Sequence, residues 1–145
     1  MGSDKHKQLL NEIWWNCISE PADSQLAQLR RQLGDEEAKQ WLLAERFSTP
    51  QSLQSVEDVY RSCWKRWRPR AISAQPEVEL EILNKIGGTL LFPGDELWPK
   101  GFEKLGDSEP GMLWVLGNLS ACPSIAIVGA RASSNYGNSV ARELA

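Results

Sequence analysis

The sequence is poor in the residues that build metal sites and disulfide frameworks. It has one histidine, His6, and three cysteines, which are Cys17, Cys63 and Cys122. No Cys-x-x-Cys pair and no Cys/His cluster occurs, so neither a zinc site nor a set of disulfides is expected. Unpaired cysteines are typical of the reducing cytoplasm, which is the location we expect. We expect neither a metal nor a cofactor.

Long apolar runs and catalytic motifs are also absent. No stretch approaches the ~20 apolar residues of a membrane-spanning helix, so no membrane partner is expected. There is no Walker loop, and a single histidine leaves no Ser/His/Asp or Cys/His set for nucleophilic catalysis. We therefore expect a binding protein and assign no catalytic residue.

Charge is distributed unevenly along the 145 residues. The net charge is −3, which argues weakly against a nucleic-acid partner, yet residues 61–70, RSCWKRWRPR, contain five basic residues and no acid. These cations could contact nucleic acid, or they could form the solvated face of a helix. Trp64 and Trp67 are three positions apart and fit an inward stripe, which favours the solvated face.

Apolar residues recur at three- and four-residue spacing over the first seventy positions, which predicts short amphipathic helices. The first helix ends at Glu20-Pro21, because a residue before proline avoids helical backbone. Its apolar stripe consists of Leu9, Leu10, Ile13, Trp14, Cys17 and Ile18. A second stripe, Leu26, Leu29 and Leu33, ends at Gly34, a common helix stop.

Two further helices complete this part of the chain. Asp35 can cap a third helix that continues to Glu45. Ser55 can cap a fourth helix, which must end near Pro69 because proline cannot continue it. Its apolar positions are Val56, Val59, Tyr60, Cys63, Trp64 and Trp67. We take residues 1–73 as one helical domain.

Residues 74–145 change from a helical to a strand pattern. A fifth helix is predicted over 76–86, with Val78, Ile82 and Ile86 at a spacing of four, and Gly87-Gly88 ends it. Strands are predicted at 89–92, 112–116 and 125–128, and the segment between the first two should place Phe102 and Leu105 inward. The third strand is so apolar that both of its faces should be buried, as they are in parallel sheets. The fold class is therefore α/β.

The turn after the third strand has the frame of a phosphate site. Gly129 follows the strand, and a helix capped within 133–135 comes next, so unpaired N–H groups would lie at the turn. The sequence G-A-R-A-S-S lacks the second and third glycines of a dinucleotide fingerprint. Arg131 would instead offer a two-pronged phosphate donor, or it could be an ordinary surface arginine.

Several motifs agree in order and spacing with one known family. They are Trp98-Pro99 with Leu105, then Pro110, Leu113, Trp114 and Gly117, then Ala126 to Arg131, and finally Ser134, Tyr136 and Gly137. Over residues 88–145 the chain resembles the DNA-processing protein A family (DprA, also called Smf). The helical residues look like the sterile-alpha-motif-like module of many members, and Trp67 to Arg70 is similar to actinobacterial members.

The resemblance implies a Rossmann-like protein that binds single-stranded DNA during natural transformation, loads the RecA recombinase and forms a homodimer. It places a DNA-binding pocket at the turn, with the site residues Gly129, Arg131, Ser133, Ser134, Tyr136 and Gly137. Tyr136 could stack on a base or pack against the helix start, and the serines could be caps or phosphate ligands. Members of the family continue well beyond the matched motifs, so we expect this chain to represent their N-terminal portion.

Two other functions remain open at this point. A nucleotide-binding enzyme domain of the wider Rossmann group could use the same turn to hold a mononucleotide phosphate. The chain could also be a helical interaction module with a vestigial α/β tail.

Overall fold

The computed structural model describes residues 2–18, 20, 22–119 and 133–144, and these are mostly helical. The α-helices are α1 Gly2–Ile18, α2 Ser24–Leu33, α3 Asp35–Leu43, α4 Glu57–Ser73, α5 Pro76–Lys85 and α6 Asn135–Leu144. The strands are β1 Thr89–Leu91 and β2 Leu113–Val115. Short 3-10 helices occupy Gln51–Val56 and Lys100–Ser108.

The main core lies among α1 to α4 and is rich in indole rings. Its fully buried side chains include Trp15, Ile18, Leu29, Leu42, Leu53 and Trp67. The predicted apolar stripes of α1 and α2 are confirmed, and α2 ends at Gly34 as predicted. Trp15 was missed, because the predicted stripe included only Trp14 of these two neighbouring indoles. Both rings are buried because α1 has neighbours on more than one side: the Arg30 guanidinium of α2 lies 4.9 Å from the centre of the Trp15 ring, and the Trp14 Nε1–H donates to the Ala71 carbonyl of α4.

The predicted helix caps of this part are wrong. Gly34, with a φ of 76°, occupies the position before α3, and Asp35 makes no capping bond. The Asp35 carboxylate instead binds Arg30 and the side chain of Asn11, since these groups lie within reach on α2 and α1. Ser55 lies inside a 3-10 helix and caps nothing, because α4 begins at Glu57.

The prediction that α4 ends near Pro69 is also wrong. The helix continues through the proline to Ser73. Contacts with α1 hold its last turn: the Trp14 Nε1–H donates to the Ala71 carbonyl at 3.2 Å, and Arg70 donates to the Ile18 carbonyl at 3.3 Å. Packing against α1 therefore compensates for the backbone hydrogen bond that Pro69 cannot donate.

Replacing Pro69 with alanine is expected to stabilise the protein by about 1–2 kcal/mol, because an interior helical hydrogen bond is restored. The free energy of unfolding from urea titration measures this effect. Pro76→Ala is the matched control, since Pro76 occupies the first turn of α5, where proline is well tolerated. Equal effects of the two substitutions would contradict the prediction.

The two described strands form an antiparallel pair. Thr89 pairs with Val115, Leu90 with Trp114 and Leu91 with Leu113, so both strands are shorter than predicted. Gly88 precedes this pair at a position with no room for a side chain, because an added Cβ would lie 2.3 Å from Leu83 Cδ1. The predicted third strand, 125–128, lies outside the described residues, so the parallel sheet stays a prediction. The division at residue 73 also stays a prediction.

The apolar stripe predicted on α5 is only half covered. Val78, Ile82 and Ile86 are 44%, 49% and 55% exposed, respectively. Leu83 is the buried residue of this helix. The four-residue spacing therefore missed Leu83, the residue of α5 that packing covers most.

The segment that joins β1 to β2 covers only one of the two residues predicted to point inward. Leu105 is exposed, which contradicts its inward placement, whereas Phe102 packs edge-on against Trp98 with ring centroids 5.7 Å apart. Trp98 and Met112 are buried. The Trp98 Nε1–H also donates to the Glu109 carboxylate at 2.9 Å.

No helix in the described part of the chain carries an apolar stretch of the length needed to cross a membrane.

Candidate nucleic-acid interface

Four of the six predicted site residues lie at the start of α6. Ser133 and Ser134 precede the helix, and Tyr136 and Gly137 belong to its first turn. Gly129 and Arg131 lie in residues 120–132, outside the described part of the chain. The described residues therefore supply the helix end of the predicted site.

Ser134 caps the N-terminus of α6. Its Oγ accepts a hydrogen bond from the Gly137 N–H at 3.1 Å, and its carbonyl accepts the Asn138 N–H at 3.0 Å. Ser133 donates its hydroxyl to Asn138 Oδ1 at 2.7 Å. These bonds use two of the first-turn amides and fix the direction of the helix, whose N-terminus carries a partial positive charge.

Tyr136 projects from this helix end into solvent. Its side chain is 80% exposed, so its ring is accessible and contributes little to the packing of the described residues. An accessible phenol ring beside a helix N-terminus can stack on an unpaired base while the helix end attracts a phosphate.

Two of the basic residues of α4 form ion pairs that hold the helix in place. Arg66 binds the Asp23 carboxylate at 2.7 Å, and Arg70 binds Glu20 at 2.6 Å. The Trp67 Nε1–H donates to the same Asp23 oxygen at 3.0 Å. Arg66 and Arg70 thus hold α4 to the chain around the start of α2. The other three cations of this segment lie elsewhere on the helix.

An ion-pair cluster that the sequence did not reveal joins α1, α2 and α3. Arg30 binds Glu12 with two hydrogen bonds of 2.8 and 3.1 Å and Asp35 with two of 2.8 Å. Burial opposes the charge on Arg30, but the hydrogen bonds to Asp35 and Glu12 outweigh it and raise its pKa. The hydrogen bonds from Arg30 hold the pKa of Asp35 below its usual value. The cluster is structural and is not part of the predicted site.

A cavity beside α1 and α2 is unsuited to a phosphate. Its volume is about 360 Å³, and it lies between α1, α2 and residues 107–114. The acidic residues that line it are Glu12, Glu20, Asp23, Asp107 and Glu109, against the single cation Arg30. Because these carboxylates would repel a phosphate, this cavity is not the nucleic-acid site.

The described C-terminal elements carry the order of motifs noted in the sequence: Trp98 buried, β2 at Leu113–Val115 and a capped helix at Asn135. Residues 89–145 match the family model of DNA recombination-mediator protein A. The resemblance inferred from the motifs is thereby confirmed over this segment.

The match begins at the first residue of β1 and includes β2, α6 and the residues Gly129 and Arg131. The recombination-mediator family indicates a role in DNA processing and recombination. The matched segment is less than half of the chain, and α1 to α5 precede it. No curated protein and no solved structure matches the chain significantly.

Proposed function

We propose that this protein binds single-stranded DNA at the turn that leads into α6, as a recombination mediator, and that it acts by binding and not by catalysis. The observation that carries this function is the family match over residues 89–145, which includes the turn. The site would comprise Gly129, Arg131, Ser133, Ser134, Tyr136 and Gly137.

Each group of the site has a distinct task in this proposal. The Arg131 guanidinium pairs with a backbone phosphate, and the N-terminus of α6 adds a favourable partial charge. Ser134 keeps the helix end in place through its bond to Gly137. Tyr136, exposed beside it, stacks on a base without selecting the sequence. Contacts of this kind give weak sequence preference and strong salt dependence.

We further propose the cellular role that the family resemblance implies. The protein would act in the cytoplasm on DNA taken up during natural transformation, help to load the RecA recombinase onto it and form a homodimer. A pull-down of RecA on immobilised single-stranded DNA, with and without this protein, tests the loading role. Equal RecA recovery in both samples would contradict it.

Arg131→Ala is expected to weaken binding of labelled oligo-dT about tenfold, because a charge-assisted hydrogen bond to a phosphate is removed. Fluorescence anisotropy at two salt concentrations measures the affinity and its salt dependence. The matched control is Arg142→Ala, which removes the same charge from the last turn of α6. The control should bind as the unmodified protein does.

Two results would contradict this assignment. Equal affinity of the Arg131→Ala and Arg142→Ala variants would show that Arg131 does not bind the DNA. Binding of a labelled mononucleotide without binding of oligo-dT would instead favour a nucleotide-binding domain of the wider Rossmann group.

A further inference from the structure

Four side chains, one from the loop after α3 and three from α4, lie in a continuous row, which we call the cation–aromatic row. The Arg61 guanidinium lies 4.4 Å from the centre of the Phe47 ring. Phe47 packs edge-on against Trp64, with centroids 5.8 Å apart. The Arg68 guanidinium lies 5.1 Å from the Trp64 ring.

The core holds the row in place. The Trp64 Nε1–H donates to the Trp41 carbonyl at 3.2 Å, and the Trp41 ring packs edge-on against Phe47 at 5.9 Å. The Arg68 Nε–H donates to the Ala44 carbonyl at 2.7 Å. Because stacking already restricts both guanidinium groups, they would lose less conformational freedom on binding a ligand than free arginines would.

Several donors of this face remain available. Arg68 uses Nε in the hydrogen bond to Ala44, and its two terminal nitrogens have no hydrogen-bond partner among the described residues. Lys65 is exposed and forms no ion pair within the described part of the chain. Arg61 is partly neutralised by Glu57, one turn earlier on α4.

The spacing of these cations suits an extended anionic chain. Arg61, Lys65 and Arg68 are four and three residues apart, so they share one side of α4. At 1.5 Å per residue they span about 10 Å along the helix axis. Arg66 and Arg70, by contrast, are bound to Asp23 and Glu20. Within the described residues, Lys65 and Arg68 thus form no ion pair, whereas Arg66 and Arg70 do.

We propose that the cation–aromatic row, together with Lys65, is a second binding surface for the phosphodiester backbone of single-stranded nucleic acid. The guanidinium groups and the ammonium pair with phosphates, and the edges of Phe47 and Trp64 pack against bases. This surface consists of residues between 47 and 68 and does not include Arg131. A single strand bound at both places would be held more tightly than at either.

Lys65→Glu tests the proposal in the full chain, because this exposed side chain holds nothing in place. Binding of labelled oligo-dT should weaken about tenfold at low salt, and the slope of log affinity against log salt should fall by about 0.7 for each phosphate that the variant no longer neutralises. Lys7→Glu, the same charge change at an exposed position of α1, is the control and should leave binding unchanged. Equal melting curves would show that both variants are folded.

Arg68→Lys provides a second, independent variant. It keeps the charge but loses the planar group that stacks on Trp64, so binding should weaken by a smaller factor than in Lys65→Glu. Affinity equal to that of the unmodified protein in both variants would overturn the proposal.

Oligo-U in place of oligo-dT distinguishes the source of the strand. If the surface binds the phosphodiester backbone that DNA and RNA share, Lys65→Glu should weaken binding of both oligo-dT and oligo-U. A loss of affinity for only one of them would overturn the proposal. Stronger binding of labelled poly-glutamate than of either oligonucleotide would mean that the face recognises acidic protein instead.

Comparison with Arg131→Ala separates this surface from the proposed function. If only Arg131→Ala weakens binding, the function stands and the second surface is wrong. If only Lys65→Glu weakens binding, the second surface is supported and the assignment of Arg131 is wrong.

Discussion

Trp67→Ala is expected to lower the free energy of unfolding by about 3–5 kcal/mol, the largest effect of any substitution considered. The indole is fully buried at the centre of the main core, between α1, α2, α3 and α4. Truncation removes apolar surface from the core and leaves a cavity that its neighbours fill only in part. Because small domains are stable by only about 5–15 kcal/mol, this loss is a large part of the total stability.

A second contribution comes from the polar edge of the same ring. The Trp67 Nε1–H donates to Asp23, whose side chain is only 6% exposed. Trp67→Phe keeps most of the packing but loses this bond, so we expect a loss of about 1–2 kcal/mol. The difference between the two variants separates packing from hydrogen bonding.

Urea titration followed by tryptophan fluorescence and circular dichroism measures both losses. Trp114→Ala is the matched control, because this indole is 38% exposed on β2 and lies outside the main core. Its loss should be about 1 kcal/mol or less, as for substitutions away from a packed core. Similar losses for Trp67→Ala and Trp114→Ala would show that the core is not centred on Trp67.

Arg30→Met is expected to lower the free energy of unfolding by about 2–3 kcal/mol at neutral pH, because two half-buried carboxylates lose their charged partner. Methionine retains much of the apolar length of the arginine side chain, so the loss reports mainly on the four hydrogen bonds to Glu12 and Asp35. Arg30→Lys keeps the charge but cannot bind both carboxylates in the same geometry, and its loss should be intermediate.

The same cluster makes stability depend on pH. Arg30 holds the pKa of Asp35 below its unfolded value of about 3.9, so the folded state favours the ionised carboxylate. This contribution is fully present above that pH and is lost as the pH falls through the lowered pKa. Urea midpoints at pH 7, 4.5 and 2.5 should therefore fall less steeply in Arg30→Met than in the unmodified protein.

Asp35→Asn is the control for the pH effect. It removes the titrating group and keeps a side-chain oxygen for Arg30, so it should flatten the acid limb of the stability curve without the full loss of Arg30→Met. Parallel acid limbs in all three proteins would contradict the role assigned to Asp35.

Sequence periodicity determined much of the helical part of this protein. The stripes of α1 and α2 and the stop at Gly34 were predicted because side chains on one face of a helix must share a buried side. The strands that begin at Thr89 and Leu113 were predicted because short apolar runs bounded by glycine and proline favour strands over other structures. The motifs of the C-terminal segment predicted the family resemblance that the match over residues 89–145 confirms.

Only the tertiary structure decided where these local preferences are overruled. Pro69 lies inside α4, because contacts with α1 hold the last turn, and Asp35 serves Arg30 instead of a helix cap. The stacking of Arg61 on Phe47 was equally hidden, since its partners are fourteen residues apart and meet only when α4 packs beside the loop after α3. Local spacing specifies which face of an element is apolar. Which groups meet across elements depends on packing between distant parts of the chain, and a single sequence does not state it.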